Sequence, residues 1–159
     1  MTKQNPIDID RIAEIIVCNI KNLGEDNFVK YILDRLIRKW SDSYVPSHKS
    51  KEVVKLEKEY GISLLGISRK QVYNKNKDIS KLIVIEHGLP ESQAIEMCFK
   101  EPDTEKVKII LKDLLKNLTY ITKIEHNGLG KEWRVIGEKG YYWEDAYSKN
   151  GIIPESNLK

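Results

Sequence analysis

A mixed α/β domain, with an N-terminal helical hairpin and further helices packed on a small sheet of about three strands, is the fold class that three features of this sequence predict. Apolar residues recur at helical spacing through residues 8–40. Two short β-branched runs, Leu82 to Glu86 and Thr119 to Ile124, have the composition of buried strands. Between them lie two helical patterns, the alternation that builds α/β folds. The 159 residues fit one domain able to bury a core without disulfide or metal staples. Within it, 1–60 reads as mainly helical, 61–153 as the α/β part and 154–159 as a tail.

Asp8 or Asp10 can cap a first helix whose Ile12, Ile16, Ile20 and Leu23 share a face, with Gly24 as its stop. Asp26 caps a second, with Val29, Ile32, Leu33, Leu36, Ile37 and Trp40 inward, and the short Gly24-Glu25 junction favours an antiparallel hairpin. Ser41 to His48 is polar and broken by proline, so it reads as a loop. A third helix runs from about Lys49 to Tyr60, ending at Gly61. Ile62 to Ile67 fits a strand or a buried turn equally, and Ser68 can cap one or two turns through Val72 and Tyr73.

The polar tract Asn74 to Asp78 leads to the first strand, and Pro90 suits the first position of the next helix, which buries Ala94, Ile95, Cys98 and Phe99. Asp103 or Thr104 caps another, with Val107, Ile110, Leu111, Leu114, Leu115 and Leu118 inward. After the second strand, His126 to Gly130 is turn chemistry, Trp133 to Ile136 alternates like a short strand, and Tyr141 to Lys149 suits a final helix stopped by Asn150-Gly151.

Composition narrows function less than fold. With 27 basic and 24 acidic residues the net charge is only +3, so any phosphate-facing surface must come from local enrichment. Arg35 to Lys77 is the enriched span, and Lys49, Lys51, Lys55, Arg69 and Lys70 are its candidate nucleic-acid-binding residues. Cys18 and Cys98 sit in apolar helical patterns as small hydrophobes, which argues against a disulfide. No apolar run approaches a membrane span and Met1 to Pro6 has no apolar leader segment, so the expected location is cytoplasmic and no membrane partner is expected.

The candidate chemistry lies in two similar strand ends, Ile85-Glu86-His87-Gly88 and Ile124-Glu125-His126-Asn127. If the strands are parallel neighbours, both Glu-His steps emerge at one sheet edge, where open α/β sheets place their ligands. A carboxylate beside an imidazole can orient water, take its proton or share a divalent cation. Adjacent strand residues face opposite ways, so the pairs Glu86 with Glu125 and His87 with His126 are better geometric candidates than either dipeptide. The plain alternative is polar residues where strands meet water. A structural zinc site fails on ligand spacing, with no Cys-x-x-Cys and no His-x3-His.

Glu86-His87-x-x-Pro90 resembles the Asp-His-x-x-Pro start of the HNH nucleases. That resemblance implies a histidine that ends a strand and activates water beside a metal, on a ββα unit carrying an Asn and a further metal-binding residue on its helix. Here two helical patterns follow, and neither Asn117 nor His126 holds the matching place. Over about the C-terminal half, Glu86-His87-x-x-Pro90, two helices, Thr122 to Glu125 and Trp143-x3-Tyr147-x3-Gly151-Ile152 together are similar to a group of small, mostly uncharacterised bacterial proteins. That similarity implies a genuine domain with Glu86, His87, Thr122, Glu125, Trp143 and Tyr147 as marked positions, and it supplies no mechanism.

The resulting expectation is a nucleic-acid-associated protein with a metal-assisted phosphodiester-hydrolysing site at Glu86, His87, Glu125 and His126. His87 and Glu125 would hold the divalent cation while the other histidine activates water. The alternative is a non-catalytic protein-interaction module, an inhibitor or assembly subunit, motivated by the lack of any phosphate-binding Gly loop, nucleophile elbow or complete metal motif.

Overall fold

The computed structural model describes residues 8–129 and 147–157. In chain order its elements are α1 (Ile9–Leu23), α2 (Asn27–Ser41), β1 (His48–Ser50), α3 (Lys51–Tyr60), α4 (Arg69–Lys75), α5 (Lys77–Leu82), β2 (Ile83–Glu86), α6 (Glu91–Lys100), α7 (Thr104–Leu115), β3 (Thr119–Thr122), α8 (Lys123–Gly128) and β4 (Pro154–Ser156). Helices packed with a small mixed sheet make this the α/β fold that the sequence predicts.

Asp8 caps α1, and the Asp26 carboxylate accepts from the Val29 N–H at 2.8 Å to start α2. The two helices touch, but α1 packs chiefly along α7 and α2 along α6. One core holds the four together: Ile12, Ile16 and Ile20 of α1, Leu33, Ile37 and Trp40 of α2, Ala94 and Cys98 of α6, and Val107, Leu111 and Leu114 of α7. A fully buried Ile or Leu contributes about 2 kcal/mol and a helix cap roughly 1 kcal/mol. Packing therefore sets this layer, and the caps only mark where each helix starts. Cys98 is in that core, whereas Cys18 lies on the exposed side of α1.

The sheet has the order β2-β3-β1-β4. β2 and β3 are neighbours, as the sequence suggests, but antiparallel, with Ile83 opposite Thr122 and Glu86 opposite Thr119. The parallel arrangement considered for them is thus corrected. An even pair of helices, α6 and α7, returns the chain to the end of the sheet it left, so the next strand must run back. β3 pairs in parallel with β1, and β1 in antiparallel with β4.

Other boundaries move for local reasons. His48 to Ser50 forms a strand because β3 offers an unpaired edge, and residues 154–156 join the sheet rather than form a tail. Pro154 is tolerated there because β4 is an edge strand. Asn157 locks the end in place: its N–H donates to Ser47 O at 2.9 Å and its side chain to Pro46 O at 3.0 Å. Asn76 caps α5, so the tract expected to be irregular before β2 is helical to Leu82. β3 stops at Thr122 because Thr122 and Glu125 form a capping box that opens α8, placing His126 in a helix rather than a turn. The expected strand Trp133 to Ile136, and all but residues 147–149 of the expected helix Tyr141 to Lys149, lie outside the described residues.

Period-2 alternation divides the sheet into two faces. Ile83, Ile85 and Tyr120 pack with Val53, Leu64, Ile67, Val72 and Ile79 from α3 to α5. Val84 and Ile121 face the other way, against Leu129, Tyr147 and Ile152. Glu86, two residues on from Val84, belongs to this second face, which α8 covers.

The turn after β2 passes very close to the approach to β3. A Cβ at Gly88 would lie 2.8 Å from Asn117 Cβ, an atom fixed to its backbone. Gly88→Ala is therefore expected to destabilise the fold by about 1–3 kcal/mol, read as a lower urea midpoint with an unchanged slope; an unchanged midpoint would show that the turn can shift.

Candidate functional site

The face shared by β2 and α8 brings Glu86 and His126 together. His126 Nδ1–H donates to Glu86 Oε2 at 2.8 Å. The two partners differ in exposure: the Glu86 side chain is 9% exposed and the His126 side chain 50%. A buried carboxylate thus holds one nitrogen of a half-exposed ring, an arrangement that orients an imidazole. The hydrogen bond to Glu86 raises the His126 pKa above its ordinary 6.5, partial burial opposing it. Tyr147 is buried on the same face, within the electrostatic reach of Glu86, and burial pushes its phenol pKa upward.

His87 goes elsewhere. β2 has ended at Glu86, and the next residue turns into the seam between sheet and helical layer, where it is 7% exposed. Its Nε2 lies 3.0 Å from Ser41 Oγ at the end of α2. The Ser41 hydroxyl donates its only proton to Arg38 O at 3.1 Å, so it must accept from His87 Nε2–H. That tautomer leaves Nδ1 bare, 3.6 Å from Glu91 Oε1. Burial, followed by the nearby Arg38 charge, lowers the His87 pKa to about 3, so the contact with Glu91 is not an ion pair at neutral pH.

Glu91 completes the seam. It opens α6, is 7% exposed, and takes Arg38 Nη2–H on Oε2 at 2.7 Å, while its buried Oε1 has no hydrogen-bond partner among the described residues. Burial raises its pKa to about 7 against the opposing pull of Arg38, with Asp34, Glu86 and Asp42 adding to the rise. Arg38 is half exposed and also pairs with Asp34 at 3.1 Å. It is close enough to Glu86 and His126 to act on both electrostatically, and so links the seam to the outer pair.

The remaining site candidates are dispersed. Glu125 Oε2 accepts from Thr122 N at 2.8 Å and from Ser50 Oγ at 2.7 Å, tying the start of α8 to β1. Lys49 forms a largely buried ion pair with Glu57 at 2.7 Å, and Glu57 also takes the Leu64 N–H at 2.6 Å. Lys55 pairs with Glu52 on the exposed face of α3, which Lys51 begins. Arg69 and Lys70 open α4 against the end of α2, with Lys70 N–H directed at Asp42 O at 3.4 Å. A surface groove of about 260 Å³ beside Lys49, Glu57 and Leu65 contains none of the Glu-His residues.

Among the described residues, no group of three or more His, Cys, Asp and Glu side chains converges in a way that could hold a metal ion. His87 and Glu125, the pair expected to share a cation, are each engaged with other partners. Sequence reasoning missed Arg38, Ser41 and Glu91. Glu91 stands four residues after His87, but its role depends on α6 packing against α2, which no local pattern reveals. No described helix is long and apolar enough to cross a membrane. Comparison of the chain with protein-family models, with curated proteins and with solved structures finds no match.

The seam has a definite pH signature. His87 is held neutral when folded, down to about pH 3, but ionises near 6.5 when unfolded, so its stabilising contribution is complete above pH 6.5 and is lost as pH falls from there to 3. Glu91, raised from 4.5 to about 7, acts in the opposite sense: its contribution is complete below 4.5 and is lost as pH rises to 7. The two slopes oppose one another between pH 4.5 and 6.5. His87→Gln, which can still donate to Ser41, is expected to gain stability relative to the parent as pH falls from 6.5 to 3. A constant difference in chemical denaturation across that range would mean His87 is not held neutral.

Proposed function

We propose that this chain is a nucleic-acid-associated protein in which the Glu86–His126 pair carries out acid–base chemistry on a phosphodiester. The observation that carries the reading is the 2.8 Å hydrogen bond from a half-exposed imidazole to a buried carboxylate, with Arg38 close by. In this reaction His126 Nε2 takes a proton from water as its oxygen bonds to phosphorus. The ester P–O bond breaks, and the leaving oxygen receives that proton from the imidazolium. Glu86 steadies the transient charge, and the Arg38 guanidinium offsets the charge building on the phosphoryl oxygens. Glu86 is a positioning residue here and His126 the catalytic one. His87 serves the seam rather than the reaction, and Glu125 serves the capping box.

The purified chain is tested on single-stranded DNA, duplex DNA and RNA, in Mg²⁺ and in EDTA. His126→Ala is expected to lose cleavage by about 100-fold or more. Glu86→Gln is expected to retain part of the activity, with the rise in rate with pH moving downward because the ring loses the carboxylate that raises its pKa. Activity that persists in EDTA assigns the chemistry to the pair alone, and activity lost in EDTA adds a divalent cation on the substrate phosphate. Cleavage equal in parent and His126→Ala would overturn the reading.

A second reading, a non-catalytic interaction module, has its own observation. Met97 and Ile109 are 42% and 59% exposed and line a groove of about 350 Å³ between α6 and α7, rimmed by Lys100, Glu101 and Lys106. Exposed apolar grooves with polar rims are common contact surfaces. Absence of cleavage on all three substrates would favour this reading.

A further inference from the structure

Cationic residues on α2 and along α4 and α5 are interleaved with exposed aromatic rings. On α2, Tyr31, Arg35 and Lys39 follow one another at intervals of four, which places them on one face. All three are exposed, Tyr31 by 56%, and the Arg35 guanidinium lies 5.1 Å from the Tyr31 ring centroid. This stripe lies outside the buried one formed by Val29, Leu33, Ile37 and Trp40. On α4, Arg69 and Tyr73 stand four apart; Tyr73 is 55% exposed, with Lys77 Nζ 5.8 Å from its ring.

The two stripes meet at Asp42. Its carbonyl faces the Lys70 N–H, and its carboxylate sits in the combined field of Arg69, Lys39 and Arg38. Burial works against the Asp42 charge and the cations support it; Arg38 is already committed to Asp34 and Glu91, so the positive charge left on this surface comes from Arg35, Lys39 and Arg69. Arg69 Nη1 is buried and has no hydrogen-bond partner among the described residues, so one guanidinium donor is unused.

We propose that the track Tyr31–Arg35–Lys39 and Arg69–Tyr73–Lys77, joined at Asp42, binds single-stranded nucleic acid. Arg69 and Lys39 would contact backbone phosphates, and Tyr31 and Tyr73 would stack with bases. A free phosphate would use the cations but not the rings, and a duplex keeps its bases stacked on one another; a single strand uses both kinds of group. Asp42 is the built-in competitor of the phosphate. Arg38 connects this track to Glu91 and to the Glu86–His126 pair, which would place a bound strand beside the proposed chemistry. The inference rests on the nucleic-acid part of the function proposed above and adds the strand form and the contacting residues.

The test is fluorescence anisotropy of a labelled single-stranded oligonucleotide on the full-length His126→Ala chain, with folding checked by circular dichroism and affinity followed against salt. Tyr31→Leu/Tyr73→Leu, both exposed positions, is expected to weaken binding about ten-fold or more with little change in salt slope. Lys39→Gln/Arg69→Gln is expected to weaken binding and to reduce the slope by about 0.7 per cation removed. Asp42→Asn is expected to tighten binding several-fold, a gain that simple loss of structure would not produce. Unchanged affinity in both double variants overturns the track while leaving the nucleic-acid reading to another surface. Equal competition by unlabelled duplex overturns the single-strand assignment. Failure of every protein to bind at low salt overturns the track and the nucleic-acid reading together. Track-dependent binding without cleavage by the His126 form upholds the track and removes the hydrolase.

Discussion

The close passage of Gly88 against Asn117 is the constraint from which the rest of the site follows. β2 ends at Glu86 and α6 opens at Glu91 after this tight turn, so Glu86, His87 and Glu91 are sent in different directions within six residues. Glu86 stays on the sheet face that α8 covers. His87 enters the seam against α2. Pro90 then starts α6, which delivers Glu91 back toward His87 and Arg38. A longer or looser turn would separate these groups, since each owes its position to the angle at which the chain leaves the strand.

The two halves of this polar system differ in what they can do. In the seam, Ser41, His87, Glu91 and Arg38 are arranged so that each proton has a structural use. Ser41 donates to the helix and accepts from His87, and Glu91 neutralises a guanidinium that is only half in water. Low exposure keeps solvent and any large substrate from His87. At the outer pair the balance is reversed. Only the carboxylate is buried, and the imidazole is half exposed with one nitrogen committed to it. Arg38 touches the first group and biases the second, so one charge acts on both the seam and the outer pair.

Much of the fold is legible in the sequence because it rests on periodicity. The stripes of α1, α2 and α7 and the buried runs of β2 and β3 are apparent as patterns, and the caps at Asp26 and Asp103 mark helix starts. The topology is less legible. Direction in β3 depends on the return path of two helices, and β1 and β4 are too short and polar to be recognised except as partners of β3. The Thr122-x-x-Glu125 capping box was visible as a local signal that the second Glu-His step starts a helix, but the β-branched run masks it. For the site, the sequence matches Glu86 with Glu125 and His87 with His126. The structure instead pairs the first member of one step with the second of the other. That crossing arises from antiparallel strands and a helix folded back over them, and no motif length or spacing encodes it.

A buried Glu86 carboxylate fixes the His126 ring and raises its pKa. The most direct measurement is an NMR titration of the His126 imidazole in the parent chain and in Glu86→Gln. The expected midpoint in the parent lies above the ordinary imidazole value with Nδ1 protonated, and it falls in the variant with loss of that tautomer preference. Identical midpoints and tautomers in the two proteins would contradict it.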